Sequence, residues 1–210
     1  MRISEKKKTP RRPPPRFDLI AGNVCLDFVN TLDDRHTEPR ELLEHYSDLV
    51  RFGEDTGLLG PNQADRLLKR SSTAPDAAQQ ALRRARELRE VIHDVFWAII
   101  NKRPVPPGAL AKLNEEIQAA AKHLRIIPAN GSFEWRFDDV SDFDGLLWPI
   151  ARSAGDLLAS DRLPFVRACS SQACEWFFLD TSKNHHRRWC DMKRCGNREK
   201  VRRFYARRTL

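Results

Sequence analysis

Four cysteines in the C-terminal part of the chain stand in two equally spaced pairs, Cys169 with Cys174 and Cys190 with Cys195. Each pair is C-x4-C, and fifteen residues separate the two pairs. Thiolates in two short pairs, joined by a loop of that length, can close a tetrahedral site around one zinc ion. Four thiolates leave no open position for water, so the chemistry is structural rather than hydrolytic. An iron–sulfur cluster is the other metal reading of such a set. His185 and His186, between the pairs, offer imidazoles as replacement ligands, and otherwise read as polar loop residues that meet phosphate. The fifth cysteine, Cys25, lies far away in an apolar segment and reads as a buried core thiol.

The second pair runs straight into Gly196-Asn197-Arg198 and a series of bases. Residues 183–210 carry eleven Lys and Arg against two acids, and residues 1–16 carry seven against one. The segment between, 17–182, has nineteen bases against twenty-six acids, so the formal charge of +8 hides two positive ends on an acidic body. A concentrated positive block is an electrostatic footprint for a polyanion. Arginine suits bidentate contact with phosphate or a guanine edge. The candidates are Lys183, Arg187, Arg188, Lys193, Arg194, Arg198, Lys200, Arg202, Arg203 and Arg207, with Arg208 behind them. On a helix that starts near Cys195, Arg198 and Arg202 share a face with Tyr205, Arg203 and Arg207 share the next, and Val201 and Phe204 are expected to turn inward.

A third set lies near the other end. Asn23, Asp27, Asn30 and Thr31 fall at i, i+4, i+7 and i+8, on one helical side opposite the apolar stripe Val24, Cys25, Phe28, Val29 and Leu32. They could line a small polar effector pocket with Arg35 or His36. Alternatively, their side chains satisfy backbone groups at a helix start. No Gly-rich phosphate loop, nucleophile elbow or HExxH pattern occurs.

The elements that must position these residues follow from periodicity and punctuation. Residues 1–16 are Lys/Arg/Pro-rich and nearly without apolar side chains, so they are expected to be a disordered arm, either a solvated tail or a second phosphate contact. Residues 17–160 read as a mostly helical domain. In it, Ser47 is placed to cap a short helix, another follows Pro61, and Asp76 is placed to cap a long helix that ends before Pro104. A helix over about 108–123 comes next, then an Asn130-Gly131 hairpin, then a helix over about 141–159 with Pro149 as a kink or restart. Residues 161–210 form the metal module: two short strands carry the first Cys pair in their turn, and the second pair opens a helix, a treble-clef-like arrangement. So small a unit needs metal for folding free energy, with Trp176, Phe177, Phe178 and Trp189 as packing partners. The fold class is therefore mainly α with a small β-hairpin, plus a zinc-binding module. No apolar run approaches the roughly 20 residues of a membrane span, and no secretory h-region is present, which points to a cytoplasmic protein.

Arg188-Trp189-Cys190, Cys195-Gly196-Asn197-Arg198 and Phe178-Leu179-Asp180-Thr181-Ser182-Lys183-Asn184 resemble the CGNR zinc-finger family. The segment from Gly22 to Thr31 (GNVCLDFVNT) is similar to the start of the ABATE domain that usually precedes such a finger. The resemblance implies a stress-induced transcription regulator, and the chain is accordingly expected to be a bacterial, nucleoid-associated protein. In it Cys169, Cys174, Cys190 and Cys195 bind structural zinc, the basic segment binds DNA, and the N-terminal domain senses an effector or forms a homodimer. Two other readings stand beside it: an RNA- or ribosome-associated zinc protein, and an enzyme that uses the Asn23/Asp27/Asn30 face.

Overall fold

A computed structural model describes residues 17–35, 37–138, 142–171 and 174–206, without the side chains of Arg203 and Ala206. The basic arm 1–16, His36, Arg207 and Arg208 lie outside the described residues.

The helical segments form where the apolar spacing puts them, but their ends obey local chemistry that the spacing does not show. α1 (Val24–Val29) opens at Asn23, whose side chain accepts the Cys25 N–H at 3.1 Å. The apolar stripe leaves the helix at Asn30. Leu32 and Asp33 form β1, which pairs antiparallel with β2 (Arg40–Glu41). α2 (Tyr46–Asp55) begins one residue before the expected cap, Ser47. His45 holds the cap position, and the Asp48 carboxylate accepts its N–H at 2.8 Å, so the acid three residues on decides the start. α3 (Pro61–Thr73) and α4 (Pro75–Ile100) both start on proline, whose missing N–H costs nothing at a first helical position. Asp76 therefore sits inside the first turn of α4, favourable to the helix dipole, rather than at its cap.

α5 (Pro107–Ala121) leads into β3 (Leu124–Ala129) and β4 (Ser132–Phe137). Asn130 and Gly131 between them take φ of 43° and 80°, the double left-handed turn that matches strand twist. α6 (Leu147–Leu158) is shorter than expected. Turns occupy 142–146, and Pro149 falls in the first turn of the helix, where no intrahelical N–H is missed.

α4 runs through the core. Ala81, Leu82, Ala85, Leu88, Ile92, Val95 and Phe96 are buried against α1, α2, α5 and α6. One charge is buried with them. Arg89 is 3% exposed and bonds both Glu41 oxygens at 2.6 and 2.7 Å, tying β2 to α4.

The C-terminal strands β5 (Val166–Ala168) and β6 (Phe177–Leu179) pair antiparallel. Their period of two sends side chains to two different places. Phe177 and Leu179 join Val166 in the apolar core of the helices. Phe178, with Trp176 beside it, packs instead against the four cysteines, Ile20 and Trp189. A single wide turn, Met192–Gly196, then starts α7 (Asn197–Ala206). Among the described residues no helix is long and apolar enough to cross a membrane.

Candidate metal centre and nucleic-acid interface

The β5–β6 turn presents Cys169 and Cys174, and the wide turn before α7 presents Cys190 and Cys195. All four sulfurs lie within 4.8 Å of one another, and all four residues are buried. Cys174 and Cys190 sulfurs are 3.5 Å apart, and those of Cys190 and Cys195 3.6 Å, far too long for disulfide bonds. Four sulfurs around a tetrahedral zinc, each at about 2.3 Å, are about 3.8 Å apart. The donor set therefore fits a closed, four-thiolate zinc site. Buried thiolates also need donors, and the Arg198 guanidinium supplies one, with an N–H 3.3 Å from the Cys195 sulfur. At Gly196 a Cβ would stand 2.5 Å from the Met192 sulfur, so glycine lets the turn close over that side chain.

The loop between the pairs is organised by Asp180, which sequence reasoning passed over. Its carboxylate accepts the Ser182 N–H at 3.0 Å, the Ser182 hydroxyl at 2.5 Å and the Arg187 N–H at 2.8 Å. Burial alone would raise its pKa, but these donors outweigh burial and hold it below the usual carboxylate range. His185 stacks on Phe165 at 3.9 Å, and its Nδ1 lies 2.9 Å from the Asp180 carbonyl oxygen; among the described residues it is not part of the converging ligand set. His186 is exposed.

The basic candidates divide. Arg187 stacks on Phe178 at 4.5 Å and donates to the carbonyls of Trp189, at 2.9 Å, and of Cys190. Arg194 pairs with Asp18 and lies over Trp176 at 5.6 Å. Arg198 serves Cys195. These three hold the finger together. Lys183, Arg188, Lys193, Lys200 and Arg202 are exposed around it. Arg203 lies in α7 between Arg202 and Phe204, and Arg207 is beyond the described residues. Val201 and Phe204 do not turn inward as expected. They are 55% and 56% exposed, and Tyr205 is 64% exposed beside them, its ring edge-on to that of Phe204.

A cleft of about 510 Å³ separates the finger from the β1–β2 segment, with Asp33, Asp34 and Glu38 facing Arg194 and Arg198. Asp33 accepts the Trp176 indole N–H at 2.8 Å. The Asp34 carboxyl is raised by partial burial and by the neighbouring Asp33 charge, against the pull of Arg198 and Arg40.

The polar set on α1 lies at the junction of three elements. Asn23 Oδ1 caps α1 and accepts the Ser153 hydroxyl of α6 at 2.8 Å. Asp27 accepts the Ala21 N–H at 2.9 Å. Asn30 makes a reciprocal pair with the Phe177 backbone, donating to its carbonyl and accepting its N–H, both at 2.9 Å. Thr31 donates to the Phe28 carbonyl at 2.7 Å and accepts from Arg89 at 3.3 Å. Cys25 is fully buried, and burial pushes its thiol well above the ordinary range.

A helical body closed by four converging cysteines with a basic helix behind them defines a zinc-finger protein. Family comparison gives the particular family. The model described as "putative stress-induced transcription regulator", ABATE, matches residues 22–161, and the CGNR zinc finger matches residues 166–208. The chain belongs to the ABATE family and carries a CGNR zinc finger, a module that binds structural zinc. No curated protein matches the chain.

Proposed function

We propose that this chain is a transcription regulator that binds duplex DNA through its zinc finger. Cys169, Cys174, Cys190 and Cys195 would hold the zinc, which supplies folding free energy and no catalysis. The observation that carries the reading is the division of labour among the bases. Arg187 and Arg198 bond the finger's own carbonyls and sulfur and Arg194 pairs with Asp18, whereas Lys183, Lys193 and Lys200 are exposed around the module, as are Arg188, which lies over the Trp189 ring, and Arg202, which stands beside Glu199. A rigid, metal-pinned platform with outward cations is what phosphate contact needs. The helical body is the part that responds to an effector or self-associates. Within it, the bonds made by Asn23, Asp27, Asn30 and Thr31 favour the structural reading: they join α1 to α6 and to β6. The chain's site of action would be the nucleoid, and its role regulatory rather than enzymatic.

One observation favours a second reading. Phe204 and Tyr205 are 56% and 64% exposed among the bases of α7, and exposed aromatics on a cationic helix can stack on unpaired bases. Competition among duplex DNA, single strands and structured RNA, at several salt concentrations, separates the two. Preference for duplex supports the DNA reading, and preference for unpaired strands transfers the function to RNA or single-stranded DNA.

A further inference from the structure

We infer that the β3–β4 hairpin is the interface of a homodimer, built by pairing β4 with β4 of a second copy across a two-fold axis. This deepens the self-association half of the reading above and does not depend on what the finger binds.

The hairpin has one apolar face. The register sets Leu124 opposite Phe137, Ile126 opposite Trp135 and Pro128 opposite Phe133, so all six side chains lie on one side. The base of that face is covered, where Phe137 packs near Trp148 with ring centroids 6.4 Å apart, and the Arg152 guanidinium of α6 lies over the Trp135 ring at 5.3 Å. Towards the tip Ile126, Phe133 and Trp135 are 58%, 72% and 59% exposed. Among the described residues the hairpin is a two-stranded sheet of its own. Large apolar side chains on an unpaired strand edge are a template for another strand, and soluble proteins rarely leave such an edge unmanaged.

The two edges are not equivalent. In a two-residue hairpin the pair beside the turn, Ala129 with Ser132, is hydrogen-bonded, and bonding alternates from there. The outward-directed backbone groups therefore belong to 124, 126 and 128 on one edge and to 133, 135 and 137 on the other. Pro128 has no N–H, so the β3 edge cannot complete a ladder. The β4 edge has all its donors. A cleft of about 560 Å³ lies between residues 135–138 and the Gly57, Leu58, Gly60 and Gln63 segment.

The side chains of β4 then select the partner and the register. In antiparallel self-pairing, residues 133, 135 and 137 must bond residues of the same set. Setting 133 against 135 of the second copy places Glu134 against Glu134. Setting 135 against 137 places Arg136 against Arg136. Setting Trp135 against Trp135 places Glu134 opposite Arg136 twice, once on each side of the axis. Of these three central registers, only the last pairs opposite charges on the polar face while it joins the two apolar faces into one four-stranded sheet. A strand whose charges complement its own reversed copy is best matched by a second copy of this chain.

The test is a charge swap read by sedimentation velocity on the full-length, zinc-loaded protein at about 100 μM, a range in which weak specific interfaces still form. Wild type should be a dimer. Glu134→Arg alone, or Arg136→Glu alone, should weaken association about tenfold or more, because each sets like charges opposite one another twice. The double variant Glu134→Arg/Arg136→Glu restores the complementarity and should restore the dimer. Both residues are exposed, so circular dichroism should show all variants folded. A monomeric wild type overturns the proposal, including the case in which the hairpin captures a different protein. So does a dimer that the single substitutions leave intact, or one that the double variant fails to recover.

Discussion

Asn30→Ala should cost this protein more than any truncation of comparable size on its surface. The Asn30 side chain is 5% exposed and closes two bonds at 2.9 Å with the N–H and C=O of Phe177, itself 1% exposed. Alanine leaves both backbone groups of β6 buried without partners. Each orphaned group costs about 1–3 kcal/mol, so the two together should cost about 2–6 kcal/mol. Against a total stability of about 5–15 kcal/mol this is a large fraction. For a chain of this size it corresponds to a fall in Tm of about 4–24 °C. The bond pair also joins the body to the strand that leads out of the first cysteine pair, so zinc transfer to a chelator should quicken in the variant. Urea denaturation of the zinc-loaded protein gives the first number, and a colorimetric chelator assay the second. A loss below about 1 kcal/mol, with unchanged zinc release, would refute the idea that Asn30 fastens the finger to the body.

Three further outcomes follow from particular contacts. Burial raises the Asp27 carboxyl to about 6, against the pull of the Ala21 and Ile20 N–H groups. The folded state thus holds this proton more tightly than the unfolded chain, so ionised Asp27 costs stability above about pH 6, and the cost fades as pH falls towards 4. Asp27→Asn should therefore stabilise the protein by about 2–3 kcal/mol at pH 8 and hardly at all at pH 4, as read from urea midpoints across pH. Cys190→Ser should abolish bound zinc by metal analysis and disorder the loop and α7, while most of the helical circular dichroism signal persists. Retention of zinc and of an ordered finger would remove Cys190 from the ligand set. Arg89→Met should destabilise by about 1–3 kcal/mol, because Glu41 loses its shortest bonds but keeps Arg86 at 3.5 Å and the Leu43 N–H, and a double-mutant cycle with Glu41→Gln should show the two residues coupled.

What the sequence revealed and what it hid divide along one physical line. Features set by neighbouring residues were readable. Asn130-Gly131 needs positive φ at both positions, so it announced its hairpin. The apolar spacing from Leu82 to Ile100 announced α4. The cysteine spacing announced the finger, because few residue types bind zinc and they must converge. Features set by distant residues were not. Asn30 finds Phe177 across 147 residues, and Trp176 finds Asp33 across 143; no local pattern marks such partners. The count of bases in 183–210 could not say that Arg187, Arg194 and Arg198 fold back onto Phe178, Asp18 and Cys195, since long side chains can lie along the protein or leave it. For the same reason Val201 and Phe204 looked like an inward face. Helical spacing shows that a face exists, but only the tertiary structure decides whether anything covers it.

Binding of DNA phosphates by the exposed cations of the finger is the central claim of the proposed function. The most direct measurement is the salt dependence of duplex DNA binding for wild type and for a Lys193→Ala/Lys200→Ala/Arg202→Ala variant. All three are exposed and outside the cysteine set, and the ion pair that is lost, Arg202 with Glu199 at 3.8 Å, has an exposed guanidinium and contributes little to stability. Each phosphate contact contributes a slope of about 0.9 in log affinity against log salt. The variant should lose affinity and its slope should flatten by up to about 2.7, with zinc content and melting temperature unchanged. Equal affinity and equal slope in the two proteins would contradict the account and place any nucleic-acid contact outside this face of the finger.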